Sequence, residues 1–317
     1  MSLNLLILSG AAVALTGAGA SLVVWAVLPQ LDRFACLLGA RARTRFWLCI
    51  AALPSALGLF ALTLSFLPSF GVGHDHCRSH GKHHPHLCPI HGDATPSLLL
   101  VVVAMTSMLY FVCLVVRMLR TARLAAETSR LLRDASERED ELYIFPSESP
   151  QAFVLGAFEP RIHVSEGMMS LPLRLREAVL AHERVHARRR DPAWRAVFPL
   201  LAVGHLPNVS DALKRRVCDS QELAADDEAA DSISDGRVRV SEALLALAKY
   251  PSALPSAAIA FTQGDIESRV LALLEHPAHA RWPRFLPAAG ALVFAGFALW
   301  HHHEIHHLLE SILGALS

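Results

Sequence analysis

Apolar positions in this chain gather into long unbroken runs before they show any helical or strand period. Residues 3–28 carry no charged side chain, which exceeds the roughly 20 residues a helix needs to cross a bilayer. A second uncharged run covers 46–73, punctuated by Pro54 and Pro68, and a third covers 94–116. A fourth, 285–300, is shorter and ends in Trp300, a residue suited to a membrane interface. It reads as a fourth span, with a buried core helix as the alternative. The first run is too long for a signal peptide and has no basic stretch before it, so it reads as a retained span.

Between 119 and 283 the pattern breaks into short elements, enough for one soluble domain. A polar stretch from Arg120 to Glu141 continues the third span as a helix. Ala152 to Ser165 is two short apolar runs about a Phe158-Glu159-Pro160-Arg161 turn, which predicts a hairpin. Helical periods follow over 171–190, 211–232, 238–250 and 264–276. The stretch 193–207 is apolar enough to dip into a membrane surface, although a core helix fits it better. No internal repeat is evident. The expected class is mainly α: a polytopic membrane protein with four transmembrane helices and one α+β domain. Its divisions are 1–118 (three transmembrane helices with an outer loop at 74–93), 119–283 (the domain), 284–300 (the fourth helix) and 301–317 (a tail).

Composition agrees. Of 317 residues 53% are hydrophobic and only 18% charged, with a formal net charge of zero, too apolar for an ordinary soluble enzyme of this size. Charge then sets orientation. Arg33, Arg41, Arg43 and Arg45 stand against Asp32 between the first two runs, and Arg117, Arg120, Arg123, Arg130 and Arg133 follow the third. The 74–93 loop has only Arg78 and Lys82, and no Lys or Arg follows Trp300. The positive-inside rule places the first loop and residues 117–284 in the cytoplasm, with the N-terminus, the 74–93 loop and the tail outside. In a bacterium that means a multi-pass inner-membrane protein.

The chemistry is concentrated in five residues, His182-Glu183-Arg184-Val185-His186. Positions i and i+4 share a helix face, so both imidazoles can reach one metal ion, with Glu183 beside them as a general base. A later helical stretch holds Glu222, a carboxylate suited to be the third ligand. Asp226 follows one turn on, placed to support a ligand histidine from outside. Asp219, Asp227 and Glu228 are nearby alternatives to Glu222. This set predicts catalytic Zn2+. A strand beside the active-site helix would hold an extended substrate by edge pairing.

The order of three spans, hairpin, His-Glu-x-x-His helix followed by Arg188-Arg189-Arg190-Asp191-Pro192 (Arg-Arg-x-Asp-Pro), Glu-x-x-x-Asp helix and fourth span resembles the M56 peptidase family. That family includes the β-lactam-responsive sensor-transducers of bacteria, and the similarity covers most of residues 1–300. It implies a gluzincin fold facing the cytoplasm, with His182, His186 and Glu222 on zinc and Glu183 as base. It also implies signalling, in which an outside stimulus lets the protease cleave itself or a winged-helix repressor. Two departures stand out. Only residues 301–317 follow the fourth run, so no acylated β-lactam receptor domain is expected. Ala225 stands where those sensors carry Cys, which brings the chain nearer the M48 membrane proteases.

Of 18 histidines, 12 lie in two short segments. One holds His74, His76, His80, His83, His84, His86 and His91 with Cys77 and Cys88; the other holds His301, His302, His303, His306 and His307. Both fall outside by the charge rule. Imidazole and thiol suit copper, zinc or nickel, so a second transition-metal site that senses periplasmic metal is expected. The alternatives are a solvated polar loop, or a Cys77–Cys88 disulfide in an oxidising compartment. Expected partners are the bilayer and a protein substrate, the repressor among them, with no direct binding of nucleic acid and with oligomeric state open. Competing functions are an M48-like quality-control protease and a non-catalytic metal-binding membrane protein. Cys36, Cys49, Cys113 and Cys218 read as structural, His163 as structural near the site, and His205, His276 and His279 as surface or interfacial.

Overall fold

The computed structural model describes residues 2–66, 95–250, 259–260, 265–275 and 302–316. The expected fourth span, the 74–91 histidines with Cys77 and Cys88, His276, His279 and His301 lie outside these residues. Three helices among the described residues are long and apolar enough to cross a membrane: α1 (Leu3–Cys36), α2 (Ala40–Phe66) and α3 (Leu98–Asp134). Ser2 and Ser97 cap α1 and α3, each hydroxyl accepting from a first-turn backbone N–H. Leu100 is the only buried residue of α3, as expected where lipid rather than protein covers an apolar helix.

The remaining helices are α4 (Glu166–Met169), α5 (Leu173–Arg189), α6 (Asp191–Leu201), α7 (Pro207–Ser232), α8 (Gly236–Leu247), α9 (Ile266–Glu275) and α10 (His302–Ala315). Leu309 and Leu313 of α10 pack against Leu8, Ala11, Ala61 and Leu100. The tail helix therefore sits where α1 and α3 begin and α2 ends. The domain gathers at the opposite end. There Arg216 of α7 forks onto Asp32 of α1 at 2.7 Å through each nitrogen, and Arg41 of α2 pairs with Glu228.

Five strands form the sheet: β1 (Glu137–Glu139), β2 (Leu142–Phe145), β3 (Ala152–Leu155), β4 (Arg161–Ser165) and β5 (Ile259–Ala260), in the order β1-β2-β4-β3-β5. The β2–β4 pairing is parallel and the others antiparallel. The expected hairpin is β3–β4. Gly156 turns it at φ 108°, where a Cβ would meet the Glu159 carbonyl oxygen at 2.3 Å. Two expectations change. The polar helix stops at Asp134 rather than Glu141, because Asp140 takes φ 51° and folds β1 back on β2; all of Glu137–Glu139 is exposed, so no alternation marked the strand. The expected strand for edge pairing with substrate is narrowed, since the outer edge of β3 pairs with β5 of the same chain.

One sheet face, with Ala152, Val154, Ile162 and Val164, packs on Ala178 and Val179 of α5. The other, with Phe145, Phe153 and Leu155, packs on Leu132 of α3. Alternation along the strands thus places the sheet between the motif helix and the end of the third span.

The stretch 193–207 goes deeper than a surface dip. Phe198 and Ala202 pack with Val24, Leu28, Trp47 and Ala51 of α1 and α2. The turn after α6 enters between these helices, where Gly204 N–H donates to Ser55 Oγ at 3.0 Å and Leu206 N–H to Ser21 Oγ at 3.0 Å. His205, expected at a surface or an interface, is only 3% exposed. Its Nε2 lies 3.1 Å from the Ile50 carbonyl and its Nδ1 3.2 Å from Ser21 Oγ. The cause lies in α2. The Ile50 carbonyl would accept from the N–H of residue 54, but that residue is Pro54, which has none. His205 donates to the carbonyl that the proline leaves open, in a setting where an unsatisfied backbone group is costly.

Candidate metal centre

His182, Glu183 and His186 lie on α5 and are fully buried. Helical spacing turns both imidazoles to one side, and α7 crosses there with Glu222 and Asp226, each 1% exposed. Arg190, at φ 55° and ψ 40°, ends α5 and begins α6. This left-handed residue reverses the chain and brings Asp191, the first residue of α6, back against α5.

Each histidine is held by a carboxylate at Nδ1. His182 Nδ1 is 2.8 Å from Asp226 Oδ1, and His186 Nδ1 is 2.8 Å from Asp191 Oδ2. A carboxylate there fixes the proton on Nδ1 and leaves Nε2 as the donor atom. The two Nε2 atoms face each other at 2.9 Å. Glu222 Oε2 is 3.5 Å from His182 Nε2, and Glu222 Oε1 is 3.7 Å from His186 Nε2. Two lone pairs so close repel unless a proton or a metal cation lies between them. Donors around a tetrahedral zinc with bonds near 2.0–2.1 Å sit roughly 3.3 Å apart, so the His182, His186 and Glu222 set fits that ion. It is the one group of three or more potential metal-holding side chains found among the described residues.

Electrostatics point the same way. Burial would lower His186, but Glu222 and Asp191 outweigh it and lift the imidazole to about 9. Burial would raise Glu222; His186, His182 and Arg269 hold it well below the usual range. Asp226 is lowered, with Arg269 and His182 overcoming its burial. The pocket therefore favours positive charge. Glu183 is close enough for its charge to act on both His186 and Arg269.

Asp226, one turn after Glu222, contacts His182 at Nδ1. Three neighbours went unassigned in the sequence. Asp191 sits in the quoted motif five residues after His186, but its role depends on the turn at Arg190. Arg195, one turn after Asp191 on α6, reaches Glu222 Oε1 at 2.7 Å and Gln221 Oε1 at 2.8 Å. Arg269 of α9 forks onto Asp226 at 2.7 Å through each nitrogen and lies 3.3 Å from Glu222 Oε2. A signal for Arg269 existed, since it occupies an apolar-stripe position beside Ile266, Val270 and Leu273 and so must point inward.

The other candidates lie apart from the ligand set. Asp219 is exposed, Asp227 pairs with Arg237 at 3.4 Å, and Glu228 binds Arg188 at 2.6 Å. His163 is buried on the sheet face turned from α5, between the rings of Tyr143 and Phe153. Cys36, Cys49 and Cys113 are exposed and Cys218 is partly buried, so the first three pack no core.

Fold and site together define a class, a membrane protein carrying a metallopeptidase-type ligand set in the domain at one end of its helices. Residues 90–273, more than half of the chain, match the family model described as BlaR1 peptidase M56. The chain belongs to the M56 peptidase family. No curated protein and no solved structure matches it.

Proposed function

We propose that this chain is a zinc metalloendopeptidase that transduces a signal across the bacterial inner membrane, with residues 119–283 as its cytoplasmic protease domain. The observation that carries the enzymatic reading is the pair of opposed Nε2 atoms, each imidazole backed by its own carboxylate and closed by Glu222. Bound zinc would polarise the scissile carbonyl and lower the pKa of the attacking water. Glu183 takes the proton from that water and passes it to the leaving amine. Asp191 and Asp226 keep both ligand imidazoles in one tautomer, and Arg195 and Arg269 offset the buried carboxylates.

The signalling reading rests on placement. The His-rich segment 74–91 lies in the chain between Phe66 and Ser97. Ser97 Oγ donates to the Leu316 carbonyl at 2.6 Å, and Ala61 of α2 packs with Leu309 of α10. The helix bearing His302, His303, His306 and His307 therefore borders both ends of that loop. We read the two segments as a sensor for copper, zinc or nickel outside the membrane, and the substrate as this chain itself or a winged-helix repressor.

One set of variants in membranes tests both readings. Glu183→Ala should keep full zinc and lose proteolysis by about 10²–10⁴-fold, while His186→Ala and Glu222→Ala should lose zinc as well. Zinc content measured on purified protein decides the ligands, and full occupancy in Glu222→Ala rejects it as third ligand. Replacing the five tail histidines by Ala should leave the catalytic zinc in place and abolish any rise in cleavage on adding copper, zinc or nickel. Cleavage unaffected by each metal in the native chain rejects the sensor.

A further inference from the structure

Helix α6 has one end on the metal ligands and the other inside the membrane helices. At its start, Asp191 and Arg195 stand one turn apart. Asp191 holds His186 Nδ1 at 2.8 Å, and Arg195 holds Glu222 Oε1 at 2.7 Å. Two of the three ligands are thus oriented from one short helix that carries neither. About 15 Å further on, the helix passes into the turn lodged between α1 and α2. Gly17 of α1 and Gly204 of the turn meet closely enough that a Cβ on Gly17 would lie 3.2 Å from the Gly204 carbonyl oxygen. His205 closes the Pro54 gap of α2 and joins it to Ser21 of α1.

We propose that Asp191 and Arg195 are positioning residues for the metal ligands, and that the anchor of the α6–α7 turn in the Pro54 gap sets where they stand. This rests on the metallopeptidase reading above and adds how its ligand set is held. Any relative movement of α1 and α2 reaches the turn first, because His205 bonds to both. Asp191 and Arg195 share the start of this helix, so a displacement of that end reaches His186 and Glu222 together. His182 is held from α7 by Asp226, and α7 starts at the same turn, so its support is reached through a second helix. A membrane event can therefore change the geometry of the ligands through α6 and α7 with no contact of its own at the centre.

The test uses the full chain in detergent micelles, loaded with zinc or with cobalt(II), whose visible absorption reports ligand geometry. Zinc release to a coloured chelator gives the rate. His205→Ala cuts the anchor at a point far from the ligands, and zinc release should speed up roughly 10-fold or more, the usual effect of losing support behind a ligand, with an altered cobalt spectrum. Pro54→Ala is the second variant, chosen because it keeps α2 folded. It supplies the Ile50 carbonyl with a local N–H that competes with His205, so it should move release and spectrum in the same direction by less. Arg195→Gln should alter the cobalt spectrum, and Arg195→Lys should bring it part of the way back. A merely structural role would lower the melting temperature without these spectral changes. Wild-type zinc release and cobalt spectrum in Pro54→Ala and in a folded His205→Ala overturn the proposal. A wild-type chain that takes up no zinc overturns both this proposal and the metallopeptidase reading.

Discussion

At the scale of single residues, burial and partner matter more than residue type. Histidine shows this three ways. His182 and His186 are buried against carboxylates, His205 against a carbonyl and a hydroxyl, and His163 against aromatic rings, with no hydrogen-bond partner for either nitrogen among the described residues. Burial, with Arg161 and Arg133 nearby, lowers His163 from 6.5 to about 4. The folded chain therefore holds it neutral where the unfolded chain protonates it. Its contribution to stability is complete above 6.5 and is lost as pH falls from 6.5 towards 4. Replacing it by Phe, which keeps the stack with Phe153 and Tyr143, should flatten the fall of melting temperature across that window. An unchanged slope would show that His163 is not the group responsible.

At the scale of elements, the decisive piece is the α6–α7 hairpin. Its apolar composition was plain in the sequence, but its destination was not, because apolar residues serve a domain core and a membrane interior equally well. Backbone contact at the turn depends on the absence of a side chain at Gly204. A Cβ there would lie 2.8 Å from Ser55 N and Ser55 Oγ and 3.1 Å from the Pro54 carbonyl carbon. Those atoms belong to a helix and cannot yield cheaply. Gly204→Leu should therefore cost about 1–3 kcal/mol through overpacking, read as a lower melting temperature of the full chain in micelles. An unchanged melting temperature would mean that the turn does not sit between α1 and α2.

At the scale of the whole molecule, the ion pairs Arg216–Asp32 and Arg41–Glu228 put the loop between the first two spans at the same end as the domain. Helix α10 lies at the other end. The arginine asymmetry read from the chain puts these two ends in different compartments, which experiment decides. A reporter active only in the periplasm should work when fused after Gly92 or Ser317 and fail when fused near Asp140 or Ser256. Activity at both Asp140 and Ser317 would place the two ends on one side and contradict the helix arrangement.

By itself the sequence determined what local spacing controls. Uncharged runs of sufficient length make spans, i and i+4 histidines share a face, and two apolar runs about a turn pair as β3 and β4. The same logic placed Asp226 one turn beyond Glu222, near a histidine of the motif, and the structure makes that histidine His182. Tertiary structure decided whatever depends on residues far apart in the chain. Arg269 reaches Asp226 across 43 positions, and His205 reaches Ile50 across 155. Asp191 is near His186 in sequence, yet it faces the imidazole only because Arg190 adopts a left-handed conformation. No periodicity reports which open carbonyl a distant imidazole will fill or which buried carboxylate an inward arginine will meet. Those choices follow from the burial of polar groups, each of which takes the partner that the packed helices bring within reach.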